Sequence, residues 1–326
     1  MAKYDVITIG GATEDITFYT KEGILIENKN DLLRQRLLAF EYGAKIKIEK
    51  AHSTFGGGAA NAAVCFSRLG FRVAAVVAIG SDNRGERIIN NFKEQGVDTS
   101  LLKKIKNIET GFSFLLVGPE NEHIVFSNRA ANSKLQITKS DLNILKTTKW
   151  VYLTSLSGAW RLVLSRLFSL DIKIAWNPGH IQLKSGKKVI SRYLFKTEVL
   201  ILNKDEAIEL VVSDKKYRSY SYNFLNNVRN LLRILKEWGP KIVVITRGKY
   251  GADAFDGEKF YHQKVLKEKR RVDTTGVGDA FGSTFVAGLE VYQDIQRAMY
   301  LAARNAASVI SKQGAQNGLT KLILKK

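Results

Sequence analysis

Cysteine, proline and histidine are all scarce in this chain: one, three and four copies among 326 residues. A lone Cys65 excludes an intrachain disulfide framework and any metal site that gathers several thiolates. The histidines, at positions 52, 123, 180 and 262, share no helical or finger spacing, so a structural zinc is not expected. Long apolar runs are missing as well. The longest, residues 73–79, falls far short of the roughly 20 residues that cross a bilayer. The opening "MAKYDVITIGG" carries no charged-then-apolar leader and reads as a first strand. With no fixed-period repeat and no low-complexity tract, nothing marks a linker. The expectation is a single domain over 1–326, soluble and cytoplasmic, with no membrane partner.

Acidic residues are the minority. Against 51 Lys and Arg there are 31 Asp and Glu, a net charge of +20, which invites a nucleic-acid reading. The basic residues are nevertheless spread along the chain, with modest runs at "KSGKKVISR", "DKKYRS" and "KVLKEKRR". The aromatic–basic alternation of a single-strand-binding module is absent. A solvated basic surface is the simpler account, and nucleic acid is not an expected partner. An anionic substrate such as a nucleotide would benefit from the same field.

What the chain has in quantity is apolar residues, 45% of the total, and 26 glycines. Strand-like runs alternate with amphipathic ones: "YDVITIG", helical "AANAAVCFSRLG", "RVAAVVAIG", helical "RGERIINNFKEQG", then "KWVYLTS", "IKIAWNP", "TEVLILN" and "KIVVITRG" separated by helical stretches. Near-continuous Val/Ile/Leu strands between helices indicate a mainly parallel sheet covered on both faces. Right-handed crossovers then put ligands at one edge, beyond the strand C-termini. Two regions break the alternation. Residues 16–55 hold short strand-like pieces ("DITFYT", "GILIEN", "AKIKIEK") around an expected helix at "NDLLRQRLLAFEY". Residues 110–127, "TGFSFLLVGPENEHIVFS", read as a hairpin turning at "GPENE". Together they suggest a small β-sheet projecting from the α/β frame.

The chemistry concentrates in "RRVDTTGVGDAFGSTFVAG", residues 270–288. If a helix starts near Asp279, the N–H groups of Gly276, Val277 and Gly278 point outward at the positive end of its dipole, an anion hole. Glycine lets the backbone approach a phosphate and adopt positive φ. A carboxylate there could take the proton of an attacking hydroxyl. On the residues alone, a helix-start charge after a glycine turn is an equally good reading.

"DTTGVGDAF" closely resembles the signature of the PfkB carbohydrate kinases, the ribokinase-like family, and "FGGGAANAAVCFSRLG" resembles that family's N-terminal glycine signature. Between them, "IGSDNRGE", "ETG", "SNRAAN", "LNKDEA" and "TRGKYGA" fall in the family's order. The resemblance covers essentially the whole chain. It implies a three-layer α/β/α sandwich with a mainly parallel central sheet and a β-sheet lid built from residues 16–55 and 110–127. It also implies transfer of the ATP phosphate to a hydroxyl of a small sugar. Asp279 corresponds to the catalytic base, with Gly276, Val277 and Gly278 as the anion hole. Asp15, expected at the end of the first strand, matches a sugar-hydroxyl ligand, and Gly57 and Asn61 belong to the same wall. Asn203 and Glu206 resemble the pair that organises Mg²⁺ and its waters, although such a pair is also an ordinary helix cap. Thr246 and Gly248 match nucleotide contacts and Asn305 a residue lining the adenine site, with a helix packing role as its alternative. Asp82 and Arg129 are equally readable as ion-pair or capping residues. Asp273 and Thr275, with main-chain oxygens near Gly314, match a K⁺ site. A homodimer through the lid is a further implication.

Departures limit the acceptor. Ribokinase-type sequences commonly carry Lys where this chain has Gly58, and "TSLSG" lacks an acid that many place there. A nucleoside kinase of the same fold is the alternative, with Phe18, Tyr19, Phe40, Tyr42 and Phe55 available for stacking in the lid; a non-catalytic ligand-sensing relative is a remoter one. No G-x-G-x-x-G closes the first strand and no G-x-x-x-x-G-K-[ST] occurs, which argues against a Rossmann oxidoreductase and a P-loop enzyme.

Overall fold

The computed structural model describes residues 3–27, 36–118, 123–268 and 270–324. Its frame is a nine-stranded sheet whose order across the sheet is Phe260–Gln263, Ala252–Phe255, Ile242–Thr246, Val199–Asn203, Lys173–Trp176, Trp150–Leu153, Val6–Gly10, Val73–Gly80 and Lys103–Ile105. Ala252–Phe255 runs antiparallel to both its neighbours, and every other pair is parallel. Strands buried on both faces have no polar side to show, and Val73–Gly80 is accordingly buried at every position.

Alternation along each strand divides the core in two. Ile7 and Ile9 pack toward Leu164, Leu210 and Leu235 of the helices Trp160–Leu167, Lys204–Val212 and Val228–Glu237. Val6, on the opposite face, packs toward Phe66, Phe285 and Met299 of Gly58–Arg68, Val277–Tyr292 and Ile295–Ile310. The result is the expected three-layer sandwich. Among the described residues no helix is long and apolar enough to cross a membrane.

A separate four-stranded sheet has the order Lys50–Gly56, Thr13–Tyr19, Phe112–Val117, His123–Asn128. Its last two strands form the antiparallel pair expected of residues 110–127; the "GPENE" turn falls largely outside the described residues. Between Tyr19 and Lys50 the outcome differs from the sequence reading. The strands Ile24–Glu27 and Arg36–Ala39 pair antiparallel, so residues 36–39 of "NDLLRQRLLAFEY" are strand rather than helix, while its first six residues lie outside those described. Leu37 and Leu38 alternate with the pleat there and Leu38 abuts Gly23; cross-strand pairing overrides the local helix propensity of leucine. In "AKIKIEK" only Lys50 enters a strand.

Asp82 ties the two sheets together. As N-cap of the helix Asn83–Glu94 it accepts from the Gly85 N–H at 2.9 Å and the Thr110 N–H at 2.9 Å, and at 2.5 Å from the Thr110 hydroxyl. Burial works against the carboxylate, but these donors outweigh it and hold Asp82 below its usual range. Its role is structural. Arg129 is exposed and has no ion-pair partner among the described residues.

Candidate active site

Asp279 occupies the first turn of the helix Val277–Tyr292, whose N-cap, Gly276, is left-handed at φ 72°. A β-carbon on Gly276 would stand 2.2 Å from that of Ala315, so both the conformation and the packing require glycine. No partner for the N–H of Gly276 or Gly278 is found among the described residues, while that of Val277 leans on the Thr274 carbonyl at a long 3.4 Å. At Gly278 a β-carbon would meet nothing within 4 Å. The helix therefore begins with outward N–H groups and open space before them, the geometry of an anion site.

Asp279 is half-buried and accepts from Asn61 Nδ2 at 2.8 Å. Burial pushes its carboxyl above the usual range; the Asn61 bond opposes this and the charge of Asp15 adds to it. Gly58 comes so close that a β-carbon would lie 3.3 Å from Asp279 Oδ1, so a side chain there would have to point away from the acid. Asn61 follows on the same helix with both amide ends engaged, Oδ1 accepting from Gln316 at 3.0 Å. It is a brace for Asp279 in this structure.

Asp15 lies in the second strand, not at the end of the first. It is 8% exposed, paired in register with Thr54 and Ser113, and accepts from the Thr13 hydroxyl at 2.9 Å. A β-carbon on Gly56 would fall 1.9 Å from Asp15 Oδ2. Gly57, at φ 90°, runs against the Gly11 carbonyl. Burial raises the Asp15 carboxyl, with Asp273 contributing, against hydrogen bonds from Thr13 and Ser113. The neighbouring Glu14 points the other way, to Arg84 at 3.0 Å and to Arg87 of the helix Asn83–Glu94. Strand alternation thus separates a structural acid from one left beside the site.

Asn203 and Glu206 form a reciprocal capping box at 2.8 Å each way. Glu206 is half-buried, and burial followed by the charge of Asp279 raises its carboxyl; the two carboxyl groups share one electrostatic environment. Thr246 and Gly248 line a cleft with Asn203, Lys204 and Asp205. A second cleft joins Thr17 and Tyr19 of the small sheet to residues 271–275. These placements bring Asp15, Gly57, Asn61, Asn203, Glu206, Thr246, Gly248 and the 276–279 turn to the same end of the fold, where strands Val6–Gly10, Val199–Asn203 and Ile242–Thr246 finish.

Asn305 is different. It is 2% exposed, donates to Thr284 at 2.7 Å and accepts from the N–H and hydroxyl of Thr320. A fully satisfied, buried amide has nothing left for an adenine, so the packing role holds here. Asp273 accepts from the N–H groups of Thr275 and Gly314, each at 2.8 Å, and from Gln313 at 3.0 Å. Three of about four lone-pair positions are filled by donors, two on Oδ2 and one on Oδ1, so any cation would meet Asp273 through Oδ1.

The family model of the pfkB family carbohydrate kinases matches residues 28–322. The chain belongs to that family. A ribokinase of Haemophilus influenzae is 27% identical over 280 residues, spanning 81% of this chain and 84% of that one. A 5-dehydro-2-deoxygluconokinase of Clostridium perfringens is 27% identical over 282 residues, 81% and 80%. Among solved structures, Arabidopsis thaliana ribokinase complexed with ribose and ATP superposes at TM-score 0.79 with 19% identity, covering 98% and 96%. Burkholderia thailandensis nucleoside kinase in complex with inosine gives 0.78 with 17% identity, covering 97% and 93%.

Sequence reasoning missed Gln316, Asn132 and Glu14. The last carried a signal, since a carboxylate directly before Asp15 in a strand has to face the opposite side. Asn132 closes the "SNRAAN" segment but was given no role there, and for both Gln316 and Asn132 the partner lies far off, 255 and 120 residues away.

Proposed function

We propose that this pfkB-family kinase transfers the γ-phosphoryl group of ATP to a hydroxyl of a small sugar, with Asp279 as general base. The carrying observation is Asp279 itself, half-buried at the mouth of a glycine-started helix, braced by Asn61 and near enough to Asp15 for their charges to interact. The acceptor oxygen attacks the γ-phosphorus, its proton passes to the Asp279 carboxylate, and the bond to ADP breaks. The N–H groups at Gly276, Val277 and Gly278 receive the charge that develops on the phosphoryl oxygens. Asp15 accepts hydroxyl protons of the sugar and so fixes its orientation. Thr246 and Gly248 border the nucleotide.

Mg²⁺, when bound, would neutralise the ATP phosphates. Among the described residues no group of three or more His, Cys, Asp or Glu is placed to hold a metal; Asn203 and Glu206 would anchor its water shell, in keeping with an ion carried mainly by phosphates and water.

The small sheet acts as a lid that excludes water from the acceptor. Its outer strand exposes Ile124, Val125 and Phe126 at 39, 51 and 56% along an open sheet edge, which is where a second copy would pair; sedimentation velocity checks this. A nucleoside acceptor would need an aromatic stacking wall. Phe18 packs on Phe114 and Phe55 on the core, Tyr42 is fully exposed, and of the five aromatics only Tyr19 lines the cleft. A panel of pentoses, hexoses and nucleosides in a coupled ADP-release assay tests the assignment: turnover with sugars supports it, turnover with nucleosides alone selects the alternative, and no turnover with any overturns both.

A further inference from the structure

Asp279 stands at the end of a line of three buried side-chain amides. Asn91, in the helix Asn83–Glu94, donates from Nδ2 to Gln316 Oε1 at 2.9 Å. Gln316 Nε2 donates to Asn61 Oδ1 at 3.0 Å, and Asn61 Nδ2 donates to Asp279 Oδ2 at 2.8 Å. The three amides are 9, 6 and 5% exposed, so water cannot substitute freely for any link. Chemistry fixes the direction of the line. An ionised carboxylate only accepts, so Asn61 must turn its NH₂ to Asp279; its carbonyl oxygen is then left for the Gln316 NH₂, and the Gln316 oxygen for Asn91. All three dipoles present their positive ends toward the carboxylate, and hydrogen bonds linked in a low-dielectric interior polarise one another.

We infer that Gln316, with Asn91 behind it, is a positioning residue for Asp279 that acts through Asn61. This rests on the reading of Asp279 as the base. Without Gln316, the Asn61 carbonyl loses its only donor found among the described residues, and the amide is free to rotate or to turn its oxygen toward the acid. The Asn61 bond is what opposes burial and Asp15 at Asp279, so weakening it raises the proton affinity of the base and lets Oδ1 drift from the acceptor. The rest of Gln316 is anchored independently. Its carbonyl accepts from Arg68 at 2.8 Å, and Arg68 closes the helix that carries Asn61, so the amide can be altered while the loop stays attached.

Carboxyl-¹³C aspartate labelling of the whole protein provides the test, with the Asp279 resonance identified by its loss in Asp279→Asn. In Gln316→Leu the Asp279 titration midpoint should move upward and kcat should fall about tenfold, the scale of one net hydrogen bond, with KM for ATP unchanged. In an Asn61→Leu background the same substitution should change neither quantity further. Asn91→Leu should shift the midpoint in the same direction by less, and serves as the probe should Gln316→Leu not fold. An unmoved midpoint, or an equal effect of Gln316→Leu with and without Asn61, overturns the relay. Because the midpoint is read without turnover, failure of the base assignment would show separately, as an active Asp279→Asn enzyme.

Discussion

Asn132 brackets the backbone of Ala12: its Nδ2 donates to the Ala12 carbonyl at 2.9 Å while its Oδ1 accepts from the Ala12 N–H at 3.0 Å. Ala12 is where the chain leaves the central strand Val6–Gly10 for the small-sheet strand Thr13–Tyr19, three residues before Asp15. Both residues are buried, and Gly111 packs so tightly that a β-carbon there would sit 2.2 Å from Asn132 Nδ2. One side chain sets the position from which Asp15 is delivered.

Asn132→Leu should therefore cost both stability and acceptor binding. It strands a buried N–H and a buried C=O, each worth about 1–3 kcal/mol when unsatisfied. Urea unfolding should show a loss of about 2 kcal/mol or more, and KM for the sugar should rise more than KM for ATP. A loss under about 0.5 kcal/mol, the range of an ordinary surface change, would mean that the bracket is dispensable.

Replacing Asp279, the proposed base, should separate activity from stability. Asp279→Asn keeps the shape but cannot take a proton, so kcat should fall by about 10²–10⁴ with ATP binding largely kept. Stability should move the other way. The Asp279 carboxyl is raised in the folded protein by burial and by Asp15, so the fold holds this proton more tightly than the unfolded chain does. The carboxyl is then harmless below its unfolded value, about 3.9, and destabilising once pH has risen past its folded value. As pH rises from about 4 the variant should gain in Tm over the wild type until the folded-state carboxyl is fully ionised; scanning calorimetry at several pH values reads the difference. A gap that shrinks as pH rises contradicts the sign of the shift.

Two glycines of the same turn should fail in different ways. Gly278→Val projects its side chain into open space, the space assigned to the phosphoryl group, so folding should survive while nucleotide affinity drops. Gly276→Val meets Ala315 at 2.2 Å with a left-handed backbone, and should destabilise the fold by about 1–3 kcal/mol or more. Calorimetry of ATP binding together with Tm distinguishes them. Equal destabilisation in both would remove the assignment of the open space.

Much of this arrangement was legible in the chain. Val73–Gly80 and its like announce a two-face-buried parallel sheet by composition alone, and the glycines around Asp279 announce an outward helix N-terminus. Capping chemistry is also local, and Asn203 with Glu206 pairs as its spacing indicates. What stayed hidden was settled by distant partners. Residues 36–39 form a strand because Ile24–Glu27 lies opposite, which no helix-forming leucine could signal. Asn305 looks like a polar residue available to a ligand until Thr284 and Thr320 close around it. Likewise the loop that holds Asp273 through Gly314 and Gln313 is some 40 residues away in sequence and gives no local sign. Side-chain amides are ambiguous in sequence because they both donate and accept, and only packing decides which face they use.

Asp15 carries the remaining prediction, with two readouts that a merely structural residue would not move together. Asp15→Asn preserves volume in the tight space under Gly56 and can still hydrogen-bond, but it loses the charge that strengthens bonds from sugar hydroxyls. Hydrogen bonds to a charged group contribute about 1.5–3 kcal/mol, so KM for the acceptor should rise by roughly 10- to 100-fold while KM for ATP stays near the wild-type value. The same substitution removes the negative charge that helps to raise Asp279. The acid limb of kcat, which follows deprotonation of the base, should move to lower pH in Asp15→Asn. An equal rise of both Michaelis constants with an unmoved acid limb would place Asp15 in the scaffold of the small sheet. A rise confined to the acceptor with a downward shift of the limb would place its carboxylate beside both the sugar and the base.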